Sequence, residues 1–138
     1  MAANGILVTS KIYNILEFNE IYGKYYRTST IEHDGKVTTI INVFTVQPKD
    51  QQHLIDLLID ATEKVTSQQE GFISVNIHKS LDGTRVVNYE QWKSKEAFEK
   101  MLKNPRAITY QNDVLSVAKL DGSLYRVVFV NTSTKQKH

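Results

Sequence analysis

The chain has 138 residues, 17 Lys and Arg against 15 Asp and Glu, and no cysteine. That length suits one ordinary domain burying roughly two-thirds of its unfolded surface, and the excess of two positive charges is accounted for by Lys135 and Lys137, so the body is balanced and lacks the one-faced basic stripe of a nucleic-acid binder. Disulfides, thiolate metal ligation and a cysteine nucleophile are excluded, no apolar run reaches the ~18 residues of a membrane span, and no signal-peptide layout opens the chain, which reads as soluble and cytoplasmic.

Residues 1–36 carry four tyrosines (Tyr13, Tyr22, Tyr25, Tyr26) without a clean period. Ile6 to Ile15 predicts a strand and Leu16 to Tyr22 a short helix, with Asp34-Gly35 as the closing turn. The segment is too apolar for a disordered tail and is expected to pack on the body or on a neighbouring subunit. Residues 37–131 form the main domain, and residues 132–138 a disordered tail.

Thr38 to Val46 is rich in β-branched residues and predicts a strand ending at Gln47-Pro48. Asp50 is placed to cap a helix in which Leu54, Leu57, Leu58, Ala61 and Val65 recur at helical spacing, until Glu70-Gly71 ends it. A second strand follows from Phe72 to Ser80, with Ile73, Val75 and Ile77 on one face and Ser74, Asn76 and His78 on the other. The Leu81-Asp82-Gly83-Thr84 connection predicts a hairpin to a third strand, Arg85 to Trp92. Ser94 opens a short amphipathic helix that stops at Asn104-Pro105, and a further helical piece is expected over Ala107 to Ala118. Asp121-Gly122 reads as a turn into a last strand, Leu124 to Val130, apolar on both sides.

The order β, α, β, β, α, β is that of a ferredoxin-like split β-α-β fold, an antiparallel sheet with helices on one face. Strands apolar on both sides leave the other face in need of a cover, which predicts a two-fold dimer packed sheet to sheet.

Asn88, Glu90 and Trp92 share one face of the third strand, and Asn42 interrupts an apolar face of the first between Ile40 and Phe44. An amide inside a strand calls for a partner, because its side chain competes for backbone hydrogen bonds. Two readings stand at each position. Trp92 is a platform for a flat guest or a core anchor, and Asn88 is a ligand group or the partner of a helix-end carbonyl. His78 is a pocket base or simply meets solvent beyond Ser74 and Asn76. Glu90 has its pKa raised by burial or forms a rim salt bridge. Asp, Glu and His gather nowhere at metal-ligand spacing.

Along residues 37 to 130 the chain resembles the antibiotic biosynthesis monooxygenase family of dimeric α+β barrels. The resemblance rests on Ile41-Asn42-Val43-Phe44, Glu70-Gly71-Phe72, His78-Lys79-Ser80, Asp82-Gly83, Asn88-Tyr89-Glu90-Gln91-Trp92 and Glu96-Ala97-Phe98, in family order. It implies a homodimer and, in polyketide-modifying members, oxidation of an anthrone to a quinone by molecular oxygen without metal or flavin. On that resemblance Asn42, His78, Asn88 and Trp92 are the catalytic candidates, with Phe44, Glu90 and Phe98 binding the substrate. Phe98 stands where such enzymes carry a tyrosine. Haem-degrading members of the same fold need an axial histidine where this chain has Leu102. The alternative to an enzyme is a dimeric small-molecule-binding or interaction module.

Overall fold

The computed structural model describes residues 27–33 and 35–134; the strand and helix expected within residues 6–22 lie outside them. Contacts divide the chain into Met1–Thr30 and Ile31–His138, and every element below belongs to the second unit.

Strand β1, Thr38–Val46, stops before Pro48, which opens a 3₁₀ turn, Pro48–Asp50, leading into helix α1, Gln51–Lys64. Asp50 makes no side-chain cap hydrogen bond. The buried Gln51 anchors this end instead: its Nε2 donates to the Ser80 carbonyl at 3.1 Å and the Arg85 carbonyl at 2.9 Å, tying the helix start to the turn that joins the next two strands. Leu54, Ile55 and Leu58 form the buried stripe of α1.

Strands β2, Phe72–Lys79, and β3, Arg85–Trp92, form the expected antiparallel hairpin. A register shift between Phe72 and Ser74 breaks the simple alternation. Phe72 thereby turns inward onto Trp92, while Ile73, expected on the face of Val75 and Ile77, is 41% exposed. Helix α2, Lys95–Leu102, is capped by Ser94, whose Oγ accepts from Ala97 N at 3.0 Å. Helix α3, Pro105–Leu115, is capped by Asn104 with Pro105 at the first helical position, so it starts and ends earlier than the apolar spacing suggests.

The last strand, β4, is Ala118–Tyr125, not Leu124 to Val130. Asp121-Gly122 is therefore mid-strand, not a turn, and Val128 and Phe129 lie beyond the strand, each 76% exposed. The reason is steric and lies on the neighbouring strand. Gly122 pairs with Asn42, and a Cβ at that position would collide with Asn42 Oδ1, so glycine is the residue that lets the two strands pair here.

The sheet order is β2-β3-β1-β4 with every neighbouring pair antiparallel, the split β-α-β arrangement of ferredoxin-like α+β folds. Two buried clusters hold the helices to one face. One centres on Phe44, Val46, Leu54, Leu58, Val86 and Val114, the other on Ile40, Trp92, Phe98 and Met101. Asn42 lies between Ile40 and Phe44, and Asn88 between Val86 and Glu90, so polar residues interrupt both central strands where one cluster gives way to the other. The apolar core does not close there.

Candidate active site

A cavity of about 590 Å³ occupies that gap, within the size range of small-molecule sites. Residues of both clusters wall it, including Ile40, Phe44, Leu58, Phe98, Met101 and Val114. Its sheet-side floor carries Asn42, Asn88, Glu90 and Gly122.

The register sets this floor. Asn42 pairs directly with Asn88 across β1 and β3 and with Gly122 across β1 and β4. Glu90 follows two residues after Asn88 on the same face and is 6% exposed. Its Oε2 accepts from Asn88 Nδ2 at 2.8 Å and, at the long limit of 3.5 Å, from Asn42 Nδ2; its Oε1 accepts from Trp92 Nε1 at 3.0 Å. The two carboxamides and the indole thus converge on a carboxylate. Burial raises the Glu90 pKa above the usual glutamate value, while the hydrogen bonds from Trp92 and Asn88 oppose the rise without cancelling it. Asn88 Oδ1, buried at the same place, accepts no hydrogen bond within the described residues. Ionised Glu90 only accepts, so the amide nitrogen faces it and the amide oxygen is left without a donor.

Trp92 is fully buried but does not line the cavity. Phe72 and Phe98 meet its ring edge-on, with centroids 5.7 and 6.0 Å away. Its indole acts on the site through one N–H from behind Glu90, and the reading of Trp92 as a platform for a guest does not match this placement. His78 is exposed, pairs with Val87, and stands with Asn76 and Tyr89 on the sheet face turned away from the described helices, opposite to the cavity. Within this chain it is no base for the pocket, because an even number of strand residues would be needed to bring it to the face of Ile77's partner Asn88. Phe44 and Phe98 do wall the cavity.

Residues that sequence patterns did not single out complete the site. Gly122 lets Asn42 lie over β4. Tyr110 lines the cavity from α3, and its hydroxyl donates to Asp60 Oδ2 on α1 at 2.6 Å, while Lys64 pairs with Asp60 at 2.9 Å. The Tyr110 hydrogen bond holds Asp60 below its usual pKa and raises that of the phenol. Among the described residues, no three His, Asp or Glu side chains come together as a metal site, and no helix is long and apolar enough to cross a membrane.

The sequence model described as antibiotic biosynthesis monooxygenase matches residues 38–113, more than half of the chain. This chain belongs to that family. Tetracenomycin-F1 monooxygenase of Streptomyces glaucescens is 41% identical over 78 residues, covering 56% of this chain and 70% of that protein. Among solved structures, a Streptomyces coelicolor monooxygenase from the gene ActVA-Orf6, in complex with nanaomycin D, superposes with a TM-score of 0.58 at 26% identity over 69% of this chain and 92% of that one. SnoaB, a cofactor-independent oxygenase from Streptomyces nogalater, gives 0.57 at 18% identity over 73% and 99%, a likeness of fold. The region matched to the antibiotic biosynthesis monooxygenase family holds Asn42, Asn88, Glu90, Trp92 and Tyr110, and it stops before Gly122.

Proposed function

We propose that this family member is a cofactor-independent monooxygenase that oxidises a planar, acidic aromatic substrate, anthrone- or quinol-like, with molecular oxygen, and that it works as a cytoplasmic homodimer. The observation that carries this reading is a cavity with apolar walls and one polar floor, built from Asn42, Asn88 and Glu90. Such a site holds a flat apolar body and concentrates polar contacts on one edge of it. The 41%-identical relative is named a monooxygenase, and nanaomycin D is bound to a structural neighbour, which supports the substrate class.

In an anthrone the reacting methylene loses a proton, and the anion passes one electron to oxygen. The two radicals combine to a peroxide, which eliminates water as the C–H proton and the O–O bond are lost, leaving a quinone. One oxygen atom ends in the product and the other in water. Asn42 and Asn88 each carry two amide hydrogens, one directed at Glu90, and the second serves the substrate oxygen on which negative charge builds. Phe44 and Phe98 hold the ring system, and Trp92 steadies Glu90.

The test is oxygen uptake with a panel of anthrones and hydroquinones. One oxygen molecule consumed per substrate is expected, with Asn88→Ala slowing turnover about 10²-fold. Absence of uptake with every substrate would remove the oxygenase, and tight binding without uptake would leave a small-molecule-binding module.

A further inference from the structure

The polar floor has an imbalance that the oxygenase reading does not use. Three N–H donors, from Asn88, Trp92 and Asn42, are already committed to Glu90. Beside the second amide hydrogens of Asn42 and Asn88, the floor offers an incoming molecule acceptor capacity. Asn88 Oδ1 is buried without a donor, and a carboxylate has roughly four lone-pair sites, of which Glu90 fills three. No cation among the described residues pairs with Glu90, whose hydrogen-bond partners are all neutral. A ligand that arrives as an anion is therefore repelled by ionised Glu90, and a bare carbonyl leaves these acceptors unused. A hydroxyl group satisfies them.

Resting on the function proposed above, we propose that Glu90 is the proton acceptor of the site, and that the ligand enters as a neutral phenol or enol whose O–H is received by Glu90 beside Asn88 Oδ1. The ligand O–H bond breaks, its electron pair stays on the ligand and spreads over the aromatic system, and the proton forms an O–H bond on the Glu90 carboxyl. No oxidant or cofactor enters this step. An anthrone in its enol form and a hydroquinone both present such a group.

Burial narrows the acidity gap that otherwise opposes transfer from a phenol to a carboxylate. A compact carboxylate in an apolar cavity is poorly solvated, and a ligand that displaces the remaining water makes it more so. Moving the charge onto a broad aromatic anion relieves that penalty. The pose also gives Asn88 Oδ1 the donor it lacks. The cavity's other titratable lining residue, Tyr110, is engaged by Asp60 and kept in its neutral, proton-bearing form. His78 faces the opposite side of the sheet.

An air-stable 2-hydroxyanthraquinone, whose O–H is free of any internal hydrogen bond and whose colour changes when its phenol ionises, is the probe, titrated under nitrogen into the full chain, Glu90→Gln and Glu90→Asp. With wild type, the bound dye is expected to take the ionised colour while the infrared difference spectrum gains the carbonyl band of a protonated carboxyl group. With Glu90→Gln the dye should stay neutral, and oxygen turnover should fall by about 10²-fold or more, with partial recovery in Glu90→Asp. A bound dye that ionises equally in Glu90→Gln, a wild-type complex with no new carboxyl band, or a dye that does not bind overturns the proposal. The infrared result on wild type decides the matter should Glu90→Gln fail to fold. Unchanged oxygen turnover in Glu90→Gln removes the acceptor and leaves the oxygenase. Dye ionisation on Glu90 in a protein that consumes no oxygen does the reverse.

Discussion

Glu90 sits 6% exposed among neutral donors, and its raised pKa sets a sign for stability. A carboxyl that holds its proton more tightly when folded favours the folded state fully below the ordinary glutamate value, and that advantage is lost as pH rises through the raised value. Wild type should therefore lose stability relative to Glu90→Gln as pH rises above the ordinary glutamate range, read as the difference in urea midpoints. A flat difference over that rise would mean that Glu90 titrates as an ordinary carboxylate. Trp92→Phe keeps an aromatic ring against Phe72 and Phe98 but removes the donor to Oε1 and part of the indole volume. It should cost about 2–4 kcal/mol by urea denaturation, far more than a surface substitution. Strand alternation already placed Asn88, Glu90 and Trp92 on one face. That their polar atoms meet on Glu90 was not legible, because hydrogen-bond direction depends on rotamers that packing selects.

Strand β4 shows how one pair of opposed residues overrides a local signal. Asp-Gly reads as a turn wherever it occurs alone. Here Asp121 lies on an exposed edge strand and Gly122 is the partner Asn42 needs, so the pair continues the ladder. Gly122→Ala should push the Asn42 amide from its place, lower stability by about 1–3 kcal/mol and weaken ligand binding together. Wild-type binding in a destabilised Gly122→Ala protein would detach Asn42 from the site. The β2–β3 hairpin, by contrast, matches its local signal. Asp82 accepts from Thr84 Oγ1 at 2.7 Å, Thr84 N at 3.0 Å and Ser80 Oγ at 2.8 Å, and the Thr84 hydrogen bonds bring its pKa down to about 2. A carboxyl depressed in this way supports the fold above its ordinary pKa, and the support fades as pH falls toward about 2. Amide exchange at Thr84 should accelerate over that acidic range in wild type and be fast already at neutral pH in Asp82→Asn.

The sheet has one face built on the three described helices and another that carries Ile41, Val43, Val87 and Tyr89, all partly buried in the single chain. A second copy packed on that face is the cover we propose for it. Wild type should sediment as a dimer at micromolar concentration, and Val43→Asp, which places a charge at the centre of the face, should shift it to monomer. A monomeric wild type would end the sheet-to-sheet arrangement while leaving the ferredoxin-like fold untouched.

Element order, the buried stripe of α1, the β2–β3 hairpin and the common face of Asn88, Glu90 and Trp92 all follow from rules that act over a few neighbouring residues, such as backbone period, capping and turn chemistry. For that reason they could be read along the chain. The start of β4, the inward turn of Phe72 at the bulge, the cavity between two clusters and the enclosure of Glu90 required the assembled sheet. Asn42 reaches Glu90 across 48 residues of chain, and Gly122 meets Asn42 across a strand pairing longer still. Contacts at that separation exist only once the strands have paired, and no local pattern encodes them.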